Sequence, residues 1–156
     1  METKSAEYAA GRERMRKLEA ATVAFVQPGE MQPERDFNFQ GEDSSADRVL
    51  GRPARRARNW FSFDVPVDPA HPMALLITCH SDEWQKRTFD LLIDGVKIGE
   101  QVVEKGGPPR FFETEYPIPA DRITGQKKVT VRFQATGGRE VAAIFGLRMI
   151  RADAPR

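Results

Sequence analysis

Apolar and polar residues alternate along much of the chain, which is the pattern of half-buried β-strands. In WFSFDVPV, which begins at Trp60, every second residue from Phe61 to Val67 is apolar. KKVTVRFQA, which begins at Lys127, repeats this alternation. MALLITC and VAAIFGLRMI are apolar almost throughout and favour fully buried strands.

A tight hairpin is the clearest local prediction. Two strand-like runs flank Asp94-Gly95 within TFDLLIDGVKIGEQVVE. Asp-Gly favours the type I′ turn, whose backbone twist matches that of paired strands. A further strand, RFFETEYPIP, should stop at Pro117 and Pro119 because proline cannot donate to a sheet.

The remaining segments carry no strand pattern. Residues 3–20 are rich in helix-forming residues with a thin apolar stripe, which predicts a polar helix. Residues 30–59 combine Pro, Gly, Asp and Ser, which predicts a loop with at most one short edge strand. We therefore predict an all-β antiparallel sandwich of the jelly-roll type at residues 21–152, preceded by a helical linker at residues 1–20.

Composition excludes several functional classes. Lys and Arg total 24 against 23 acidic residues, so a broad basic surface for nucleic acid is not expected. No apolar run approaches the length of a membrane helix, and the charged N-terminus does not resemble a secretory signal. One cysteine and two histidines exclude a zinc site built on several thiolates, so we predict no metal, no cofactor and no catalytic residue.

Polar residues occupy every even position from residue 30 to residue 42. If this segment were extended, its carboxylates and amides would share one face and could bind sugar hydroxyls. The alternative is a solvated loop, which Pro33 and Gly41 favour. The candidate ligands in this segment are Glu30, Gln32, Glu34, Asp36 and Asn38.

Two tryptophans are candidates for stacking on a sugar ring, because a flat aromatic face packs against the apolar side of a pyranose or furanose. Trp84 lies in the polar stretch SDEWQKR, where a core role is less expected, and both packing and binding stay open for it. Trp60 lies out of register with Phe61 and Phe63, which favours the opposite side of the sheet for it, and core or inter-strand packing is favoured over binding.

Two further groups have structural interpretations. Arg52, Arg55, Arg56 and Arg58 form a basic cluster, for which salt bridges to Glu42, Asp43 and Asp47 are the expected partners. Cys79 lies in an apolar strand and is expected to be buried and inert.

Several segments together resemble the C-terminal β-domain of β-L-arabinofuranosidase-type glycoside hydrolases of families 127 and 146. They are AATVAFVQPGEMQPERDFNFQGEDS, WFSFDVPV, RTFDLLIDGVKIGEQ, FFETEYPIP and KKVTVRFQATGGREVAAIFGLRMIR. The resemblance covers about residues 21–151. At positions where that family commonly has aromatics, this chain has Ala54, Cys79 and His80, and Trp84 is its own addition.

The resemblance implies a jelly-roll domain that binds carbohydrate and accompanies a helical (α/α) catalytic barrel. The first hypothesis is therefore a non-catalytic carbohydrate-binding or accessory domain of a glycoside hydrolase acting on arabinose-containing glycans. The alternative is a structural domain that buttresses the barrel without a ligand. An exposed Trp84 or Trp60 beside a polar concavity would favour binding, whereas two packed tryptophans would favour the structural role.

Overall fold

Two antiparallel sheets make up most of the molecule. A computed structural model describes the backbone of residues 2–156 and the side chains of residues 4–156. Residue 1 of the predicted linker lies outside this range. The elements are α1 (Glu2–Ala21), β1 (Thr22–Val26), α2 (Met31–Asp36), β2 (Gln40–Val49), β3 (Arg52–Pro66), β4 (Met73–His80), β5 (Arg87–Ile93), β6 (Val96–Val103), β7 (Phe111–Pro117), a 3-10 turn (Ala120–Arg122), β8 (Lys128–Ala135), β9 (Val141–Ile144) and β10 (Gly146–Arg151).

The two sheets stack as a sandwich. One sheet has the order β1-β10-β4-β7, and the other has the order β2-β3-β8-β5-β6, with β9 also paired to β3. A single large cluster of apolar side chains from both sheets fills the space between them. The predicted all-β antiparallel sandwich of the jelly-roll type, preceded by an N-terminal helix, is confirmed.

The core follows the alternation in the sequence. Phe61, Phe63 and Val65 of β3 are fully buried in the core, whereas Ser62 and Asp64 between them point to the other face of the sheet, where Ser62 is also buried and Asp64 is half-buried. Phe61 is opposite Phe133 of β8 in register, and their rings stack with centroids 4.7 Å apart. Such pairs contribute about 0.5–1.5 kcal/mol beyond the apolar area that they bury.

The Asp94-Gly95 hairpin has the predicted geometry. Ile93 of β5 pairs with Val96 of β6, which leaves a two-residue turn. Asp94 has φ 48° and Gly95 has φ 84°, as a type I′ turn requires. The backbone N–H of Asp94 also donates to Thr130 at 2.9 Å, which joins the turn to β8.

The predicted loop over residues 30–59 was wrong, although β2 within it is an edge strand, as the prediction allowed. Residues 31–36 form the short helix α2 instead of an extended or irregular segment, so the even-numbered polar side chains do not share one strand face. β2 and the first half of β3 follow as paired strands. β2 lies at the edge of its sheet and most of its side chains are exposed, so its sequence needs no apolar alternation.

The predicted last strand is divided in two. β9 pairs with β3, whereas β10 lies between β1 and β4 in the opposite sheet. Phe145 connects them, and its backbone N–H donates to the carbonyl of Thr78 at 2.9 Å. Because every side chain from residue 141 to residue 147 is buried, the hydrophobic pattern cannot reveal where the chain crosses between sheets.

The predicted N-terminal helix is present as α1 and packs on the sandwich only at its end. Leu18 and Ala21 contact Ala74 and Ile150 on the outer face of the four-stranded sheet. The earlier part of the helix is exposed, as the polar sequence predicts, and Tyr8 is 70% exposed. None of the helices within residues 2–156 is long and apolar enough to cross a membrane.

Candidate ligand-binding site

Trp84 is the most exposed large aromatic side chain among the described residues. It lies in the loop between β4 and β5, and its side chain is 78% exposed. The flanking residues Glu83 and Arg87 are both buried, so the loop is anchored on either side of the indole. This exposure agrees with the polar sequence around Trp84.

A polar concavity lies beside this indole. It has a volume of about 520 Å³, within the range of small-molecule sites. We call it the Trp84 cleft. It is lined by Asp43, Ser44, Ser45, Arg56, Ala57, Arg58, Trp84 and Glu140.

Three parts of the fold bring these residues together. β2 and β3 pair with Ser44 opposite Ala57 and Ser45 opposite Arg56. A β-bulge between Glu42 and Ser44 interrupts the ladder, and Asp43 within it has φ 52°. Aspartate tolerates this left-handed conformation better than most residues, and a bulge redirects the side chains of its strand.

A buried carboxylate anchors the loop that carries Trp84. Glu83 is 2% exposed and accepts hydrogen bonds from Arg56 Nη1 at 2.6 Å and from Arg87 Nε at 2.9 Å. Its second oxygen accepts the backbone N–H of Ala143 at 3.4 Å. The acid next to Trp84 in sequence therefore ties the loop to β3, β5 and β9.

Two further carboxylates extend this network. Arg56 Nε donates to Asp47 at 2.6 Å, and Arg87 Nη1 donates to Glu140 at 3.0 Å. Burial raises the pKa of Asp47, but hydrogen bonds from Arg56 and the backbone outweigh this effect, so the pKa lies below its ordinary value. Burial opposes the charge of Arg56, but hydrogen bonds to Glu83 and Asp47 outweigh it and raise its pKa. Both groups remain charged at neutral pH.

The cleft has donors and acceptors available for a ligand. Arg58 is 83% exposed, and its closest carboxylate is Glu140 at 3.8 Å. The bulge residue Asp43 and its neighbour Ser45 are also exposed. Carboxylates accept hydroxyl hydrogens, and guanidinium and hydroxyl groups donate hydrogen bonds, so the rim suits a ligand with several adjacent hydroxyls.

Trp60 occupies a different kind of position. It is half-buried on the outer face of the six-stranded sheet, with the Arg132 guanidinium 4.0 Å from its ring centroid. Its Nε1 donates to Glu42 at 3.4 Å. The structure therefore places Trp60 in packing between strands on the outer side of the sheet, with one ring face occupied by an arginine.

The other predicted ligands lie away from Trp84. Glu34 and Asn38 line a second cavity of about 520 Å³, which shares no residue with the Trp84 cleft. Glu34 is buried and forms an ion pair with Arg55 at 2.5 Å. Asn38 donates to Asp64 at 2.8 Å.

The remaining residues of that segment lie on or beside α2. Glu30 is exposed at the start of the helix. Gln32 and Asp36 are exposed and hydrogen-bonded to each other at 2.8 Å. A ligand role for any of them stays a prediction, but none lines the cleft beside Trp84.

The ion pairs of the arginine cluster differ from those that the sequence predicts. The arginine cluster was expected to pair with Glu42, Asp43 and Asp47, and only the pair between Arg56 and Asp47 forms among the described residues. Glu83 and Glu140, which complete the network, are distant in sequence from the arginines. No local pattern links them, so the convergence on Trp84 depends on the sheet topology.

The three positions at which the resembled family has aromatics are buried here. Ala54 and Cys79 are inaccessible, and His80 is 5% exposed. Burial raises the pKa of the Cys79 thiol to about 12, which agrees with the expected inert cysteine. None of the three presents a surface to a ligand.

Several solved structures that share this fold are carbohydrate-binding modules. A family 35 module from Clostridium thermocellum is 11% identical, with TM-score 0.54, and the match covers 83% of this chain and 100% of that one. A family 35 module from Cellvibrio japonicus Abf62 is 13% identical, with TM-score 0.59 and coverages of 81% and 93%. A family 36 module solved with calcium and xylotriose is 13% identical, with TM-score 0.54 and coverages of 81% and 99%. The shared feature is the fold.

Sequence similarity places the chain in a family. Residues 17–150 match the family described as "Family of unknown function (DUF6805)", and the chain belongs to it. That match runs from the end of α1 through β1–β9 and most of β10. No curated protein has a significant match to the chain.

Proposed function

We propose that this chain is a carbohydrate-binding domain and that the Trp84 cleft holds the sugar. The observation that carries the proposal is an indole, 78% exposed, fixed beside a polar cavity of about 520 Å³. The flat face of an exposed indole can stack on the apolar side of a sugar ring, and the polar groups beside it can bind the hydroxyls. The fold of carbohydrate-binding modules supports the same ligand class.

Binding would combine stacking with hydrogen bonds at the rim. The apolar face of one sugar ring packs on the indole of Trp84, and its hydroxyls contact Asp43, Ser45 and Arg58. The buried pairs of Glu83 keep the loop in place, so little conformational entropy is lost when the ligand binds. The exposure of Trp84 favours this role over that of a purely structural buttress.

The biological context belongs to the same proposal. The resemblance to β-L-arabinofuranosidase-type enzymes supports arabinose-containing glycans as ligands and a helical catalytic barrel of a glycoside hydrolase as the partner. In that arrangement, this chain supplies affinity for the substrate and the barrel supplies catalysis.

Trp84→Ala tests the proposal. Covering about 80 Å² of apolar surface at about 25 cal/mol/Å² is worth about 2 kcal/mol, which corresponds to roughly thirtyfold in affinity. We expect isothermal titration with arabino-oligosaccharides to show that loss, with an unchanged unfolding temperature because Trp84 packs little. Trp84→Phe should retain part of the affinity.

Trp60→Ala provides the matched control, because it removes a tryptophan outside the cleft. It should lower stability and leave affinity unchanged. Equal binding by Trp84→Ala and the unmodified protein would place any sugar site elsewhere. Xylo- and gluco-oligosaccharides, titrated in parallel, test the preference for arabinose independently of the site.

A further inference from the structure

A third cleft lies on the outer face of the four-stranded sheet, which is the side of the molecule opposite the six-stranded sheet. Its volume is about 460 Å³. We call it the arginine cleft. The lining residues that define it are Phe25, Arg52, Thr78, Arg110, Glu113 and Arg148.

Three of these residues are arginines without acidic partners. Within residues 4–156, no carboxylate lies within 4.0 Å of the guanidinium of Arg52, Arg110 or Arg148. The only side-chain hydrogen bond that the three make within that range is from Arg148 Nη1 to Thr22 at 3.2 Å. In the Trp84 cleft, in contrast, Arg56 is paired with both Asp47 and Glu83. Most of the fifteen or so N–H donors of the three guanidinium groups are therefore available to a ligand.

Aromatic rings hold these guanidinium groups in position. Arg148 Cζ lies 4.7 Å from the centroid of Phe25, and Arg52 Cζ lies 4.4 Å from that of Phe111. Arg110 Cζ lies 5.5 Å from the centroid of Phe112. Cation–π contacts at these distances orient a guanidinium without using its N–H donors.

The floor of the cleft is made of small residues. Gly146 of β10 is opposite Thr78 of β4, and Glu113 of β7 completes this cross-strand row. A Cβ at Gly146 would lie 3.2 Å from Cε2 of Phe25, so a larger residue would begin to fill the space. α1 contributes Met15 and Leu18 to the wall.

We propose that the arginine cleft binds an acidic sugar, a ring that carries a carboxylate as well as hydroxyl groups. Arginine matches a carboxylate in a bidentate geometry, and three unpaired guanidinium groups supply such donors. Glu113 lies in the same cleft and would repel a polyanion, but it can accept hydrogens from the hydroxyls of a sugar. The near-neutral chain, with net charge +1, also argues against a nucleic-acid ligand.

This site is separate from the Trp84 cleft and does not depend on it, since the two share no lining residue. With both sites, the domain would bind a charged sugar of a glycan at the arginine cleft on the four-stranded sheet. It would bind a neutral sugar ring at the Trp84 cleft beside the six-stranded sheet.

Titration of the full chain with digalacturonate tests the proposal, with the carboxyl-reduced disaccharide as the neutral probe. We expect the neutral probe to bind at least tenfold more weakly. Affinity for digalacturonate should fall as salt rises, because screening weakens exposed charge pairs. Equal affinity for the two disaccharides would overturn the proposal.

Arg110→Ala should reduce digalacturonate affinity about fivefold to tenfold. Arg148→Gln should cause a similar loss, and because glutamine keeps much of the side-chain length, it changes the packing less. Lys128→Ala is the matched control, since it removes one exposed positive charge on the opposite sheet. An effect of Lys128→Ala equal to that of Arg110→Ala would show only general charge attraction and contradict the site.

Three further measurements separate the alternatives. Trp84→Ala should leave digalacturonate binding unchanged, and a loss there would assign the acidic sugar to the Trp84 cleft instead. A hexa-aspartate peptide that binds more tightly than digalacturonate would indicate an acidic protein partner and overturn the sugar ligand. Inorganic sulfate that binds as tightly as digalacturonate would also overturn the sugar ligand.

Discussion

Glu83→Ala should be among the most destabilising single substitutions in this chain. Glu83 is 2% exposed and is the shared acceptor for Arg56 and Arg87. Its removal leaves Arg87, whose side chain is 5% exposed, with Glu140 as its remaining carboxylate partner. Breaking a buried ion pair by removing one partner costs about 3–5 kcal/mol, because the remaining charge loses a partner at a place where water cannot replace it.

Equilibrium urea unfolding followed by tryptophan fluorescence measures this effect. With an m-value of about 2 kcal/mol/M, the midpoint should fall by about 1.5–2.5 M. Glu140→Ala removes a carboxylate from the same network at a position that is 40% exposed, and it should cost about 1 kcal/mol or less. The variant Glu83→Leu/Arg87→Met, which removes both charges, should recover much of the loss.

A change below about 1 kcal/mol for Glu83→Ala, or one no larger than that of Glu140→Ala, would refute the view that Glu83 anchors the loop. The same substitution should weaken sugar binding at the Trp84 cleft, since the loop would no longer hold the indole in place. Binding should be measured well below the unfolding temperature so that the two effects remain separate.

Two other predictions follow from buried and paired groups. Cys79 is inaccessible and burial raises the pKa of its thiol to about 12, so the native protein should not react with a thiol reagent at pH 8 until it is unfolded; rapid labelling would contradict this. The pKa of Asp47 is lowered in the folded protein, so its carboxylate stabilises the fold at any pH above its ordinary pKa of 3.8. This contribution is lost as the pH falls through the lowered pKa of the folded state. Asp47→Asn should therefore flatten the acid side of the stability profile, and an unchanged profile in acid urea titrations would rule out this contribution.

Most of the fold was predictable where one side of a strand faces the core. The alternation at Phe61, Phe63 and Val65 and the turn at Asp94-Gly95 report local geometry directly, and both agree with the structure. Only a short edge strand was allowed where β2 runs for 10 residues, because an edge strand with exposed sides has no apolar period. α2 was missed because six residues are too short to show helical periodicity.

The candidate site was predictable only in part. The polar sequence around Trp84 indicated an exposed indole, and the structure agrees. The side chains that surround it come from β2, β3 and the loop before β9, which are separated by many residues along the chain. Such a constellation is set by strand order, which no local pattern in one sequence reveals.

The pairing of β1 with β10 determines how the sandwich responds to mechanical force. Thr22, where the chain enters the sheet, is opposite Ile150, near the point where it leaves. The two strands are antiparallel, so tension on the flanking chain acts at one end of the pair and opens its hydrogen bonds one after another. A parallel arrangement would instead load all of them together in shear. Tension applied to the two ends of the domain should therefore separate β1 from β10 one hydrogen bond at a time, which requires less force than shearing all of these bonds together.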